Sequence, residues 1–334
     1  MGRPGERVGA RGVTGSARID RPGNHRRTKY GDPGRRQGKG GRDFGRTESQ
    51  NLSPRPRRPW REEGQVGHLD HVYGVMPVLA ALRARRRDPI YALYVQDGLD
   101  SGSGTNRVKK RGLDSIGVKT VLDLARGAGV PLQWVAKGEL NELTGQRPHQ
   151  GLVLAAGPLS FAPLDDLPAP DGGKQAVWLA LDEVQDPQNL GAILRSARFL
   201  GVSGVLVSGK NCAPLSPAVS KASAGAMETM EVYATSHLPG ILERAGSSGW
   251  RVIGTALDRR AINIGELDIT REDSTIVVMG NEGAGLRTNV KSACTTLVEI
   301  EGGGEDPGLD SLNVSVAAAI VIHEVRRIQN GSER

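Results

Sequence analysis

The stretch AVWLALDEVQDPQNLGAILRSARFLGVSGVLVS, residues 176–208, decides the fold. It opens with an apolar strand over 176–184, broken at Asp186-Pro187, and continues into a helix over Gly191–Leu200. A second apolar run, GVLVS at 204–208, follows. Strands that are apolar on both faces belong inside a sheet, and a helix between two of them is the crossover of a parallel pair. Toward the C-terminus the alternation continues with helices near 216–224 and 237–247, strands RVIGTAL (251–257) and TIVVMG (275–280), a helix over 285–293, a strand TLVEI (296–300) and a last helix over Val314–Arg327. The class is α/β, a mostly parallel sheet covered on both faces, with ligands expected at the carboxyl ends of its strands. Neither GxGxxG nor GxxxxGK[ST] occurs, which counts against a dinucleotide site and a P-loop.

Upstream lies GPLSFAPLDDLPAPDGGK, with Pro158, Pro163, Pro168, Pro170 and Gly172-Gly173, a composition that suits a linker over 159–174. Before it, residues 67–158 form a smaller α/β domain. A helix over Val75–Arg85, a strand over Ile90–Val95, a helix in VKTVLDLARGAGVP (118–131), a strand LQWVAK (132–137), a short helix over 139–147 and an apolar strand GLVLAA (151–156) follow one another. The larger α/β domain occupies 175–330.

The net charge of +7 is concentrated at the N-terminus: residues 1–61 hold 17 Lys and Arg against 5 Asp and Glu, and the remainder 27 against 32. The leader 1–66 is rich in Gly and Arg and poor in apolar residues, so it has too little to bury to offset the entropy of ordering, and disorder is expected. It reads either as an organelle-targeting segment or as a basic arm on RNA phosphates. The longest apolar run, VAAAIVI at 316–322, is well short of the roughly 20 residues of a membrane span. Two cysteines, Cys212 and Cys294, make neither a disulfide framework nor a cysteine zinc site, and six scattered histidines show no ligand spacing. A reducing compartment and no metal follow.

Three polar or glycine-rich segments sit where strands of the larger domain end. In the first, DPQNLGAILRSARFLG (186–201), Asn189 is placed to cap the helix and Arg195 lies six residues on. In the second, GNEGAGL (280–286), Gly280, Gly283 and Gly285 flank Glu282, a density that lets a ligand approach the backbone. In the third, SLNVSVA (311–317), Ser311, Asn313 and Ser315 crowd the start of an apolar helix, more than one cap requires.

These three segments, in this order, resemble the ordered motifs of the SpoU/TrmH branch of the SPOUT RNA 2′-O-ribose methyltransferases. KASAGAME (221–228) is similar to the family's KxSxGA segment, and GVMPVLAAL (74–82) and LTGQRPHQGLVLAA (143–156) are similar to the substrate-binding domain that precedes it. The likeness covers about residues 67–330. Its wording, with the Arg/Gly-rich leader, is most like the fungal mitochondrial members that methylate guanosine in large-subunit rRNA.

The resemblance implies a trefoil-knot methyltransferase domain behind a small L30e-like α/β domain, S-adenosyl-L-methionine as methyl donor, large-subunit rRNA as partner, a homodimer with shared sites, and location in the mitochondrion. By motif position it implies Gly280, Ile300 and Leu312 as cofactor contacts, and Asn189, Arg195, Glu282, Ser311 and Asn313 as the catalytic set. One departure is IEGGGEDPGLD (300–310), which stands where the family has an IPM-like segment. A ribose hydroxyl is a poor nucleophile at neutral pH and must lose its proton while held in line with the methyl group. Arg195, nearly always charged, suits an alkoxide and a neighbouring phosphate, and the family also assigns it the base role. Glu282 would orient Arg195 or the ribose, with Asn189 and Asn313 holding the loops. Dimerisation is expected through the last helix, whose Val314, Ala317, Ala318, Val321, Ile322 and Val325 make a broad apolar face. A tRNA or bacterial-type 23S rRNA substrate, or a non-catalytic RNA-binding assembly factor, are the other readings. The intact polar set counts against the last.

Overall fold

The computed structural model describes residues 69–99, 112–170, 175–304 and 311–331. The readings made on the leader, on 171–174 and on 305–310 lie outside them.

The N-terminal lobe runs β1 (Asp70–Tyr73), α1 (Val75–Ala84), β2 (Ile90–Gln96), α2 (Gly112–Gly127), β3 (Leu132–Val135), α3 (Lys137–Leu143) and β4 (Leu152–Ala156). The sheet order is β1-β4-β2-β3, with β4 antiparallel to both neighbours and β2 parallel to β3. All five residues of β4 are buried, as a central strand requires. β1 is not expected from the sequence, because a strand of four residues carries no period. The helix expected over 139–147 stops at Leu143, since Gly145 and Gln146 take left-handed φ values of 59° and 64°.

The C-terminal lobe comprises β5 (Ala162–Pro163), β6 (Val177–Leu181), α4 (Pro187–Phe199), β7 (Gly204–Ser208), α5 (Pro217–Ala222), α6 (Ala226–Thr229), β8 (Val232–Thr235), α7 (Leu238–Ser247), β9 (Arg251–Thr255), β10 (Ile262–Asn263), β11 (Thr275–Met279), α8 (Thr288–Ser292), β12 (Thr296–Glu299) and α9 (Val314–Gln329). Its strands are parallel in the order β10-β12-β9-β11-β6-β7-β8-β5. From β6 the chain steps outward through β7 and β8, then returns past β6 to β9, and β11 later enters between β6 and β9. Helices α4 and α9 pack together and share a core with one face of the sheet, while α7 and α8 cover the other. Strands β6, β7 and β11 are buried at every residue, which is why they read as unbroken apolar runs.

The proline-rich connection is a strap rather than a free tether. Ala162 and Pro163 pair with β8, Leu164 N–H donates to Ala234 O at 3.1 Å, and Trp250 Nε1 donates to Pro168 O at 3.2 Å. A buried ion pair locks the lobes a second time. Arg87, at the end of the α1 segment, donates Nε and Nη2 to the Glu228 carboxylate at 2.7 and 2.9 Å and Nη1 to Asp70 and Gly157 O at 2.7 and 2.9 Å. Ser220 Oγ adds a 2.6 Å bond to Glu228. Gly225 has no room for a side chain here, because a Cβ would lie 2.6 Å from Ala80 Cβ and 2.9 Å from Met76 O. KASAGAME is thus the seat of the N-terminal lobe.

Candidate active site

The first motif leaves β6 at Asp182, which is fully buried and receives Arg287 three times: backbone N–H at 3.0 Å, Nε at 2.8 Å and Nη2 at 2.6 Å. This grip ties the start of the first motif to the end of the second. It also explains why the helix expected over 285–293 begins only at Thr288, since residues 285–287 serve the loop instead. Asp186, not Asn189, caps α4: its Oδ1 accepts from Gln188 N–H at 2.8 Å, with Pro187 in the first turn. The helix therefore starts four residues before the expected Gly191, and the Asn189 side chain is released from capping.

That release brings the three motifs together. Asn189 Nδ2 donates to Glu282 Oε1 at 2.8 Å, and Asn313 Nδ2 donates to Asn189 Oδ1 at 3.0 Å. Asn313 Oδ1 meanwhile caps α9 by accepting from Ser315 N–H at 2.9 Å. Of the residues crowded before that helix, Asn313 is the cap, and Ser311 turns to a pocket wall.

The second motif folds on itself. Asn281 and Gly285 exchange two 3.0 Å backbone bonds, and Asn281 Oδ1 accepts from Gly283 and Ala284 N–H at 3.0 Å each. Asn281 Nδ2 reaches Glu183 O at 3.0 Å and Glu282 Oε2 at 3.2 Å. Both oxygens of Glu282 are thus held by amides. Asn281, Asp182 and Arg287 escaped the sequence reading; the Asn between Gly280 and Glu282 and the Arg just after the GAGL run were the available signals. A Cβ on Gly280 would lie 2.3 Å from Gly285 C and 2.5 Å from Leu286 N, so it is the loop's own backbone that demands glycine.

Beneath this network lies a pocket of about 350 Å³, within the range of small-ligand sites. Gly280, Ile300 and Leu312 all line it, with Met279, Val298 and Ala256 as apolar wall and Glu282 and Ser311 at its polar side. Lys291, at its edge, is paired with Asp258 at 3.2 Å; that carboxyl is held well below the usual range, first by Arg260 and then by Lys291. The Cys212 thiol is pushed up to about 12 by burial, with the nearby Glu282 charge adding to the effect, so it stays protonated at neutral pH. Among the described residues no group of His, Cys, Asp or Glu could hold a metal, and no helix is long and apolar enough to cross a membrane.

Arg195 is not brought to this network. Six residues past Asn189 it has turned well away around α4, lies exposed, and makes no hydrogen bond or ion pair with the described residues. One turn further on stands Phe199, 88% exposed. On the neighbouring α9, Val316 and Ile320 are 47% and 37% exposed. The apolar face expected to mediate dimerisation is largely spent inside the subunit: Val314, Ala318, Val321, Ile322 and Val325 are core residues and Ala317 packs against them. The apolar side chains left exposed on these two packed helices are others: Phe199 on α4, four residues from Arg195, and Val316 and Ile320 on α9.

Residues 176–323 match the SpoU rRNA Methylase family, and residues 71–162 match the domain described as RNA 2′-O ribose methyltransferase substrate binding. The human mitochondrial rRNA methyltransferase 1 is 37% identical over 271 residues, covering 78% of this chain and 73% of the relative. The protein of the same name from Schizosaccharomyces pombe is 34% identical over 288 residues, covering 77% and 89%. A solved RNA 2′-O ribose methyltransferase superposes with a TM-score of 0.60 at 26% identity, covering 78% of this chain and 89% of that one. The parallel α/β domain with this strand order, behind a small substrate-binding domain, places the chain in the trefoil-knot SPOUT fold class. With its three motifs hydrogen-bonded around one pocket and its substrate-binding lobe seated in front, the chain belongs to the SpoU family of rRNA methylases.

Proposed function

We propose that this protein methylates the 2′-oxygen of a guanosine ribose in mitochondrial large-subunit rRNA, with S-adenosyl-L-methionine as donor. The observation that carries the reading is the Asn313–Asn189–Glu282 chain of hydrogen bonds at the mouth of the pocket lined by Gly280, Ile300 and Leu312. The pocket fits the donor in kind. Its lining mixes an apolar wall of Met279, Val298 and Ala256 with polar side chains and the backbone of 280–286, which suits an adenosyl group with its apolar ring faces and polar edges. When bound, the donor supplies an electrophilic methyl group.

The chain's own residues act on the ribose. Glu282, with each carboxylate oxygen already held by an asparagine amide, is fixed as an acceptor that can orient a ribose hydroxyl. Ser311 stands at the same wall. Arg195 stabilises the developing alkoxide and grips the adjacent phosphate, a fork no lysine reproduces. Because α4 turns it away from its own subunit's network, Arg195 serves the site of a second copy, docked through Phe199, Val316 and Ile320. The protein is on this reading an obligate homodimer.

The test is methyl transfer to unmodified large-subunit rRNA transcript followed by mapping of protected riboses. A single modified guanosine supports the reading; methylation confined to tRNA, or none with donor bound, rejects it. Mitochondrial delivery by the leader is tested separately, by locating the full chain and one beginning at Gly64 in cells. The relatives named as mitochondrial support that location. If the leader were instead an RNA arm, its removal would flatten the salt dependence of RNA binding.

A further inference from the structure

The seam between the lobes holds two cations of opposite character. Arg87 is fully committed, with Nε, Nη1 and Nη2 all spent on Glu228, Asp70 and Gly157. Lys221, at the end of α5, is not. Its one hydrogen bond goes to a neutral acceptor, Gln150 Oε1, at 2.8 Å, and its ammonium stands 6.0 Å from the Tyr73 ring centroid. No carboxylate of the described residues comes within ion-pair distance. Gly74 makes room for the ammonium itself, because a Cβ there would lie 2.4 Å from Nζ and 2.9 Å from Gln150 Oε1.

Gln150 is itself held under strain. It is a non-glycine residue with φ of 55°, and its Oε1 accepts from both Lys221 and the Val75 backbone N–H at 3.2 Å. Its Nε2 donates to nothing among the described residues. Lys221 and Lys137 both depress the buried His149, after burial itself, so the positive field of the seam reaches the loop of Gln150. Burial likewise disfavours the charge on Lys221. A lysine serving only to bolt two lobes together would be better served by a carboxylate, as Arg87 is. The seam instead gathers unspent donors with no anion, an arrangement that a phosphate completes.

We propose that Lys221 and Gln150 form a binding site for one RNA backbone phosphate at the seam between the substrate lobe and the methylase lobe. The inference rests on the methyltransferase reading above. Its position suits a strand leading to the ribose site: α5 packs on α4 at Gly191, where a Cβ would lie 2.4 Å from Ala222 Cβ, and Gly191 is two residues from Asn189. The phosphate takes the free ammonium and amide hydrogens, while Gln150 Oε1 keeps Lys221 aimed.

Binding of unmodified large-subunit rRNA transcript is measured against salt for the full chain and for Lys221→Gln and Lys221→Arg. The Gln variant is expected to bind about tenfold more weakly, with the slope of log affinity against log salt reduced by about one and the KM for RNA raised. The Arg variant is expected to keep the slope, and cofactor affinity by calorimetry is expected to be unchanged in both. An unchanged slope in Lys221→Gln, with or without a lower melting temperature, makes Lys221 a lobe bolt and overturns the site. Absence of methyl transfer by the unaltered protein to the same transcript overturns the methyltransferase reading, and this site with it.

Discussion

The side chains of Asn313 and Asn189, 124 positions apart, share a 3.0 Å hydrogen bond that joins the cap of the last helix to the first turn of the helix it packs on. Asn313 thereby does two jobs with one amide: its oxygen caps α9 and its nitrogen orients Asn189 toward Glu282.

Those jobs separate by substitution. Asn313→Asp keeps the cap oxygen but removes the donor, so stability is expected near the unaltered level while methyl transfer falls by at least tenfold. Asn313→Ala loses both, at about 1 kcal/mol for the cap. Urea melts beside turnover numbers check the split.

Arg195→Ala is expected to abolish turnover and leave cofactor affinity intact. Co-expressed with Glu282→Ala, it is expected to recover about a quarter of normal activity, because half the dimers are mixed and each mixed dimer holds one complete site. No recovery in mixed dimers would place Arg195 in its own subunit's site.

Phe199→Glu or Ile320→Glu is expected to leave the subunit folded and make it a monomer by light scattering, with activity lost alongside. An active monomer would refute the shared site.

Gly280→Ala drives a methyl into Gly285, so a cost of about 1–3 kcal/mol is expected, with cofactor affinity lost as the loop deforms. Asn281→Ala, which unties the same loop without crowding it, is expected to weaken cofactor binding with a smaller fall in melting temperature.

Arg87→Ala leaves Glu228 buried without its cation and is expected to cost about 3–5 kcal/mol, whereas Arg87→Met with Glu228→Leu should recover most of it. Denaturant unfolding of the single and double variants reads the difference.

The strands buried on both faces, β4, β6, β7 and β11, were legible because continuous apolar runs have no other use at that length. The short pieces β1, β5, β8 and β10 were not, since two to four residues carry no period; β3 and β12, also four residues, were read only as parts of the longer runs LQWVAK and TLVEI. The pocket residues Gly280, Ile300 and Leu312 came from resemblance, and they do line one cavity. The start of α4 was misplaced because Asp186 and Asn189 are both good caps, and only the geometry of the second motif decides which is needed elsewhere. Arg87 and Glu228, 141 positions apart, leave no trace in local pattern, nor do Asp182 and Arg287. The apolar face of α9 was visible, but amphipathicity does not say whether a face meets its own subunit or another.

A body pinned by both a zipped strap and a buried ion pair does not swing. On the reading proposed above, the span from the substrate lobe to Asn189 then works as a fixed gauge against which an RNA segment is measured. Choice among riboses would then fall to the shape of the RNA rather than to a motion between the two lobes.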